Sequence, residues 1–337
     1  MQHVLVIRLS ALGDVAILVP VLQNYAAANP DVTFTVAAPP MLQPLFEGMP
    51  NVRFLGLKKK QSFWKIYKAL EAVGADTVVD LHKVNRVGMA LMVMRLRHLL
   101  HFGFRIHSLR KGRLSRWLFL HHWRRQPRKP QYQRYDDVFQ RAGLKCVNAL
   151  MRKCVSADAP ITNAITQSHN HAIIGIAPFS QHAGKVWPWE NVERLVEMLA
   201  AKGYRVLLFG SKEEARQLEG LADKWENVDS VAGKQTFAEE LDIIKSLSLM
   251  VSMDSANTHF ASVFGVPVVS IWGATHPDFG FYGYGQNRDN ALCANLPCQP
   301  CSAFGQKPCR YGDYRCLRAI TPERVLNKIL SHLTVNR

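Results

Sequence analysis

Apolar residues in this chain fall into short runs separated by stretches of helical spacing. Residues 3–9 read as a buried strand, since Val4-Leu-Val-Ile7 leaves no polar face. After a small-residue loop at 10–14, residues 15–28 place Val15, Leu18, Val19, Leu22 and Tyr25 three or four apart, which predicts an amphipathic helix. Strands are predicted at 32–37, 52–55 and 77–81, with a helix between Trp64 and Val73. Such alternation predicts an α/β fold, a parallel sheet with helices on both faces.

Between Val87 and Trp123 the pattern blurs, because helical apolar stretches are interleaved with Arg and His. It restarts with strands at 173–177, 205–210, 249–253 and 266–272, and helices at 190–202, 212–224, 237–247 and 257–264. A second doubly wound unit is therefore expected. The polar stretch 155–171 is the predicted linker, giving domains of 1–160 and 161–337. Tandem units of this kind leave a cleft between them and bind ligands at the carboxyl ends of their strands.

Charge narrows the choice of partner. The net charge is +16, and residues 81–135 hold fourteen of the 42 Lys and Arg with no Asp or Glu. A field of that kind favours polyanions such as nucleic acid, anionic lipid or a phosphorylated substrate; a solvated basic face is the plain alternative. No apolar run reaches the roughly eighteen residues a spanning helix needs. The chain opens on a strand-like run without a basic leader, so a cytoplasmic location is expected, with attachment to a membrane only at its surface.

Three loops carry candidate chemistry. In Arg8-Leu-Ser-Ala-Leu-Gly-Asp14 a strand gives way to a helix, so backbone N–H groups and the positive dipole end face any anion above. Gly13 allows close approach, and Asp14 is either a general base for a sugar hydroxyl or a helix N-cap. Neither a GxGxxG sequence nor a P-loop lysine is present there. In the loop 177–190, Ser180 can hydrogen-bond a phosphate and Lys185 can neutralise one. In Met253-Asp-Ser-Ala-Asn-Thr-His259, the amides of Ser255, Ala256 and Asn257 open a helix and can cradle a pyrophosphate. Asp254 then faces sugar hydroxyls or caps that helix, and His259 lies one turn in, at the cleft or in the core. Finally, Cys298-Gln-Pro-Cys301 has a metal-site gap that Cys309 and Cys316 could complete as a structural site; reduced structural thiols and redox roles stay open.

Taken in order, these segments resemble glycosyltransferase family 9, the bacterial lipopolysaccharide heptosyltransferases and their relatives. The resemblance runs through Val6-Ile-Arg-Leu-Ser-Ala-Leu-Gly-Asp14, Asp80-Leu-His82, Lys185-Val-Trp-Pro188, Asp254–His259, Gly265-Val-Pro267 and Trp272-Gly-Ala-Thr-His-Pro277. It ends in Pro297-Cys-Gln-Pro-Cys301, Cys309, Arg315-Cys316 and Thr321-Pro-Glu323. It implies two facing Rossmann-like domains of the GT-B type, the first binding the acceptor and the second a nucleotide-sugar donor. It further implies that Asp14 is the base, that Lys185 binds donor phosphate, and that Asp254, Ser255, Ala256 and His259 hold the donor. Glu214, with Glu213 close behind, fits the ribose contact. Ser255-Ala256 stand where the family usually has Thr-Gly, which puts a methyl group where backbone approaches phosphate, and Asn257 stands where relatives often have Leu.

The expected activity is inverting sugar transfer, of heptose from ADP-heptose, onto an acidic glycolipid such as the lipopolysaccharide core. No Asp-x-Asp pair is apparent, so no divalent cofactor is expected for catalysis. Gly13, Lys83, Arg86 and Arg105 are the expected acceptor contacts, and 114–123, with Trp117, Phe119 and Trp123, is a candidate membrane-interface segment. Transfer of another sugar, such as N-acetylglucosamine, to a surface glycan is the nearer alternative. A nucleic-acid-binding protein using 81–135 is the more distant one, and it leaves the paired phosphate loops unexplained.

Overall fold

The computed structural model describes residues 2–97, 104–110, 112–121, 126–146 and 172–335. Its contacts divide the chain into two compact units, Met1–Gly112 with Lys129–Ser156, and Arg113–Arg128 with Ala157–Arg337. The predicted linker 155–171 lies outside the described residues, as does Trp123. No described helix is long and apolar enough to cross a membrane.

In the first unit, β1 (His3–Ile7), β2 (Thr33–Ala38), β3 (Val52–Gly56), β4 (Thr77–Asp80) and β5 (Arg105–Ser108) form a parallel sheet in the order β3-β2-β1-β4-β5. The order reverses between β1 and β4, where Ile7 pairs with Asp80. At that switch point the loops after the two strands diverge and leave room for a ligand. The strand predicted at 3–9 ends at Ile7, so Arg8 and Leu9 open the following loop.

Helices α1 (Leu12–Ala28), α2 (Phe63–Glu71) and α3 (Asn85–Arg97) cover this sheet. α1 is buried on more than the predicted stripe, from Val15 to Leu22 without a break. The reason is a second layer. After α4 (Arg113–Leu120) comes α5 (Gln131–Arg141), whose Phe139 stacks on Tyr25 at 4.6 Å, while Tyr25 Oη donates to Asp136 Oδ1 at 2.6 Å. α2 and α3 close one shared core with Leu5, Ile7 and Val78 through Ile66, Leu70, Val87, Ala90 and Met94.

The second unit contains β6 (Ile173–Ala177), α6 (Trp189–Ala201), β7 (Arg205–Leu208), α7 (Ala215–Ala222), β8 (Val228–Ser230) and α8 (Phe237–Lys245). It continues with β9 (Leu249–Met253), α9 (Ala256–Val263), β10 (Val268–Trp272), β11 (Ala291–Cys293), α10 (Arg315–Arg318) and α11 (Pro322–Val335). The six parallel strands run β11-β10-β9-β6-β7-β8, so this sheet switches between β6 and β9. The three-residue strands β8 and β11 escape a hydrophobic-pattern reading because they are too short to show a period. α8 starts where a capping box forms, Thr236 Oγ1 accepting from the Glu239 N–H and Glu239 Oε2 from the Thr236 N–H.

The segment Arg113–Arg128 groups with this second unit, although the sequence boundary keeps it in the first. Phe119 of α4 packs edge-on against Phe279 at 4.9 Å, beside Ala303, and the Arg128 N–H donates to the Asp278 carbonyl at 2.9 Å. Within the candidate interface segment, Phe119 is therefore buried, whereas Leu114 and Trp117 are exposed.

Candidate functional site

The first group of functional side chains stands at the carboxyl ends of β1 and β4. α1 has Ala11 as N-cap and Leu12 as its first residue, so Asp14 occupies the third helical position and is not the cap. Its Oδ2 accepts from the Ala11 N–H at 3.3 Å and pairs with the Arg8 guanidinium. Asp14 Oδ1 is closed to solvent and has no hydrogen-bond partner among the described residues. Gly13 is buried in the first turn beside it.

Arg8 is the residue that the sequence patterns pass over. Its guanidinium donates to the Leu81 carbonyl and to Asp14, and stands 5.7 Å from the Tyr135 ring centre. Burial pulls an arginine down, yet Tyr135 and Asp14 outweigh it and hold Arg8 above its ordinary range. Tyr135 is fully buried on α5 and donates to the Asp14 carbonyl at 3.2 Å; burial pushes its phenol up. Arg8 thus holds the Asp14 carboxylate in place and Tyr135 holds its backbone.

On the β4 side, Asp80 Oδ1 accepts from the N–H groups of His82 and Lys83 at 3.0 and 2.8 Å. That turn puts Lys83 at φ +50, a left-handed position that the two bonds to Asp80 stabilise. Burial raises the Asp80 carboxyl, opposed by those N–H groups and by Arg8. The His82 imidazole is pushed down to about 4, first by burial and then by Arg8 and Lys59, so it is neutral beside this site.

The expected acceptor contacts do not all gather here. Lys83 is exposed at the turn, and Arg86 is exposed while donating to the Lys60 and Gln61 carbonyls at 3.4 and 3.1 Å. Arg105 pairs with Thr77 at the amino end of β5, the end of the sheet opposite to Asp14. The structure therefore separates the Arg105 backbone from the Asp14 loop by the length of the strand.

The second group stands at the ends of β6 and β9. Lys185 Nζ meets Asp254 Oδ2 at 2.8 Å and the Asp254 carbonyl at 3.1 Å. Thr275 Oγ1 donates to the same carboxylate oxygen at 2.8 Å, and Ser180 Oγ to the Asp254 carbonyl at 3.3 Å. Asp254 is not the helix cap; Ser255 is, in extended conformation, with its Oγ 3.0 Å from Ser252 Oγ. Ser255, Ala256 and Asn257 remain partly exposed over the first turn of α9, where N–H groups have no intrahelical acceptor. His259 is 7% exposed, in a stretch of the helix buried from Thr258 to Ser262.

Close backbone packing sets the lysine. Ala274 N–H donates to the Gly184 carbonyl at 2.7 Å, and a Cβ on Gly305 would lie 2.6 Å from Lys185 Cγ. Gly305 therefore lets its loop lie against the aliphatic stem of Lys185. Thr275 lies in the Trp272–Pro277 segment of the resemblance without a role assigned to it, and Gly305 gave no signal, because each acts through a partner distant along the chain.

Glu214, at the carboxyl end of β7, precedes α7 and turns its Oε2 back to the Ser211 N–H at 2.7 Å. The turn it caps also explains why α7 starts at Ala215 and not at 212. Glu213 is exposed.

Cys298, Cys301, Cys309 and Cys316 are free thiols in one neighbourhood, where Cys316 feels the charge of the other three. Burial raises the Cys316 thiol to about 12. Among the described residues no three His, Cys, Asp or Glu side chains converge as ligands of an ion. The thiols are neighbours without a formed ligand shell.

Residues 63–314 match the family model "Glycosyltransferase family 9 (heptosyltransferase)". Lipooligosaccharide heptosyltransferase 2 of Haemophilus influenzae is 34% identical over 116 residues, which cover 32% of this chain and 33% of that protein. The chain thus spans about a third of the length of that relative. Lipopolysaccharide heptosyltransferase 1 of Escherichia coli K12 is 24% identical over 308 residues, 85% of this chain and 92% of that one. The structure of E. coli ADP-heptose lps heptosyltransferase II superposes with a TM-score of 0.67 at 19% identity, covering 99% of each chain. At that identity the likeness establishes the fold, two parallel-sheet α/β domains of the GT-B class.

Proposed function

The chain belongs to glycosyltransferase family 9, and from that membership we propose that it transfers a sugar, heptose from ADP-heptose, onto the lipopolysaccharide core or a related acidic glycolipid. The observation that carries the mechanism is the divided carboxylate of Asp14. Oδ2 is engaged by Arg8 and the Ala11 N–H, and Oδ1 has no donor among the described residues. A shielded, unpartnered carboxylate oxygen is under-satisfied, and a substrate hydroxyl is the donor it lacks. Asp14 is then the general base that takes that proton as the hydroxyl attacks the anomeric carbon. Attack from the face opposite the departing diphosphate inverts the anomeric centre.

Lys185 and the first-turn amides of α9 face the leaving group. Charge grows on the nucleoside diphosphate as the glycosidic bond breaks, and fixed donors stabilise that state more than the ground state. Lys185 is paired with Asp254 in this structure, so a bound diphosphate shares the ammonium with that carboxylate. Thr275 holds Asp254 in place while this happens. With the lysine and amides supplying positive charge, no divalent ion is assigned to the step. The proposed setting is the cytoplasmic face of the membrane that carries the glycolipid.

A donor screen tests this reading: ADP-heptose against UDP- and GDP-sugars, with a lipopolysaccharide acceptor lacking heptose. Turnover of ADP-heptose alone is the expected result. Turnover of UDP-N-acetylglucosamine in its place would assign the other sugar and keep the transferase.

A further inference from the structure

The acid-free stretch 81–135 is larger than a diphosphate or a sugar phosphate requires. Its first helix, α3, lies beside α2 over the core of the first unit. The two run in the same direction. Arg86 at the start of α3 donates to the Lys60 and Gln61 carbonyls just before α2, and Arg97 at its end pairs with Glu71 at the end of α2, at 2.8 Å.

α3 buries Val87, Ala90, Leu91 and Met94, which leaves Met89, Met92 and Leu96 outward at 50%, 59% and 59% exposure. Spacings of three and four put these three on one stripe. Trp64 on α2 is 64% exposed. Scattered exposed apolar residues are ordinary on a soluble protein, but a stripe of three aliphatic side chains is not scattered.

Cations predominate around the stripe. Lys59, Lys60 and Lys65 are exposed at and before the start of α2, and Arg86 and Arg95 are exposed on α3. The acid on these two helices, Glu71, is held by Arg97. Lys59 also lies near enough to His82 to oppose its protonation, so the basic rim adjoins the end of β4, the strand next to the one that carries the Asp14 loop.

We propose that the outward face of α2 and α3 docks on an anionic bilayer. Met89, Met92, Leu96 and Trp64 enter the boundary between headgroups and acyl chains, and the flanking cations meet lipid phosphates. Apolar stripes framed by Lys and Arg bind interfaces through both effects together. A nucleic-acid backbone has no use for three aliphatic side chains, which favours the bilayer as the occupant. The sequence pointed instead to 114–123, but α4 turns Phe119 inward onto Phe279 and leaves Leu114 and Trp117 as its exposed pair. The inference rests on the reading that the acceptor is a membrane glycolipid. Docking is measured without donor or acceptor, so it stands or fails separately.

The test is flotation of the full chain with vesicles of phosphatidylcholine containing about 30% phosphatidylglycerol, and with phosphatidylcholine alone. The wild type is expected to float with the anionic vesicles. The Met89→Ser/Met92→Ser/Leu96→Ser variant is expected to lose at least about tenfold in partitioning, with an unchanged circular dichroism spectrum and melting temperature. Met92→Trp, at an unchanged circular dichroism spectrum and melting temperature, is expected to bind more tightly. Wild-type partitioning by the triple variant overturns the proposal. So does loss on Leu114→Ser/Trp117→Ser with the α3 face intact, or a wild type that binds duplex DNA and ignores the vesicles.

Discussion

Lys185 and Asp254 form an ion pair of 2.8 Å whose side chains are only 15% and 9% exposed. Asp254 is thereby committed twice, since Thr275 donates to the same oxygen at 2.8 Å. The lysine expected to meet a phosphate as a lone cation is already half of a shielded pair.

Removing one half has separable effects. Lys185→Met leaves a poorly solvated carboxylate and is expected to cost about 2–4 kcal/mol in urea denaturation, less than a fully buried pair because both groups keep some solvent. Adding Asp254→Asn is expected to regain about half of that loss, since the uncompensated charge is gone. Binding of ADP by calorimetry is expected to stay weak in both variants. ADP affinity at the wild-type level in Lys185→Met would make the lysine a partner of Asp254 and nothing more.

Gly305 supports Lys185 from outside the motif. It has φ +80, and an added Cβ would stand 2.6 Å from Lys185 Cγ. Gly305→Ala is expected to lose about 1–3 kcal/mol and to raise the donor KM more than it lowers kcat. Gly143→Ala is the comparison, with φ +79 and no atom within 4 Å of the new Cβ. It is expected to lose about 1 kcal/mol from backbone strain alone, with the donor KM unchanged. Equal KM changes in the two would remove the packing explanation.

Stability is expected to fall with acid because of His82. Its folded value is about 4, against an ordinary value of 6.5, so between them the unfolded chain takes a proton that the folded chain does not. The contribution is present above about pH 6.5 and is lost as pH falls toward about 4. His276 and His332 are also lowered, chiefly by burial, and add to the same trend. In urea denaturation between about pH 7.5 and 5, His82→Gln is expected to lose less stability than the wild type. An identical loss would mean that His82 titrates normally in the folded chain.

Transfer is expected to proceed undiminished in excess chelator, because Lys185 and the α9 amides carry the leaving-group charge. Inhibition by chelator that Mg²⁺ reverses would contradict that assignment.

Much of the frame was legible in the chain. Strands flanked by loops at Arg8–Asp14, Ala177–Lys185 and Met253–His259 put Asp14, Lys185 and Asp254 at strand ends, where the structure finds them. What was illegible depends on contacts remote in sequence. Arg8 shows its purpose only once Leu81 and Tyr135 are beside it. Phe119 draws α4 into the second unit through Phe279, and no local pattern encodes that pairing. Asp14 as cap or third helical residue turns on where α1 begins, a shift of three positions that propensity cannot resolve. Arg105 carries the right charge, but strand pairing fixes it at the amino end of β5.

The central claim is that Asp14 takes the proton of the attacking hydroxyl. Its most direct measurement is the single-turnover rate of Asp14→Ala with ADP-heptose and a heptose-free lipopolysaccharide acceptor, beside calorimetric ADP affinity. The expected result is a fall of about 10²–10⁴-fold in rate with ADP affinity unchanged. A rate within a few-fold of the wild type, at equal folding stability, would contradict the assignment.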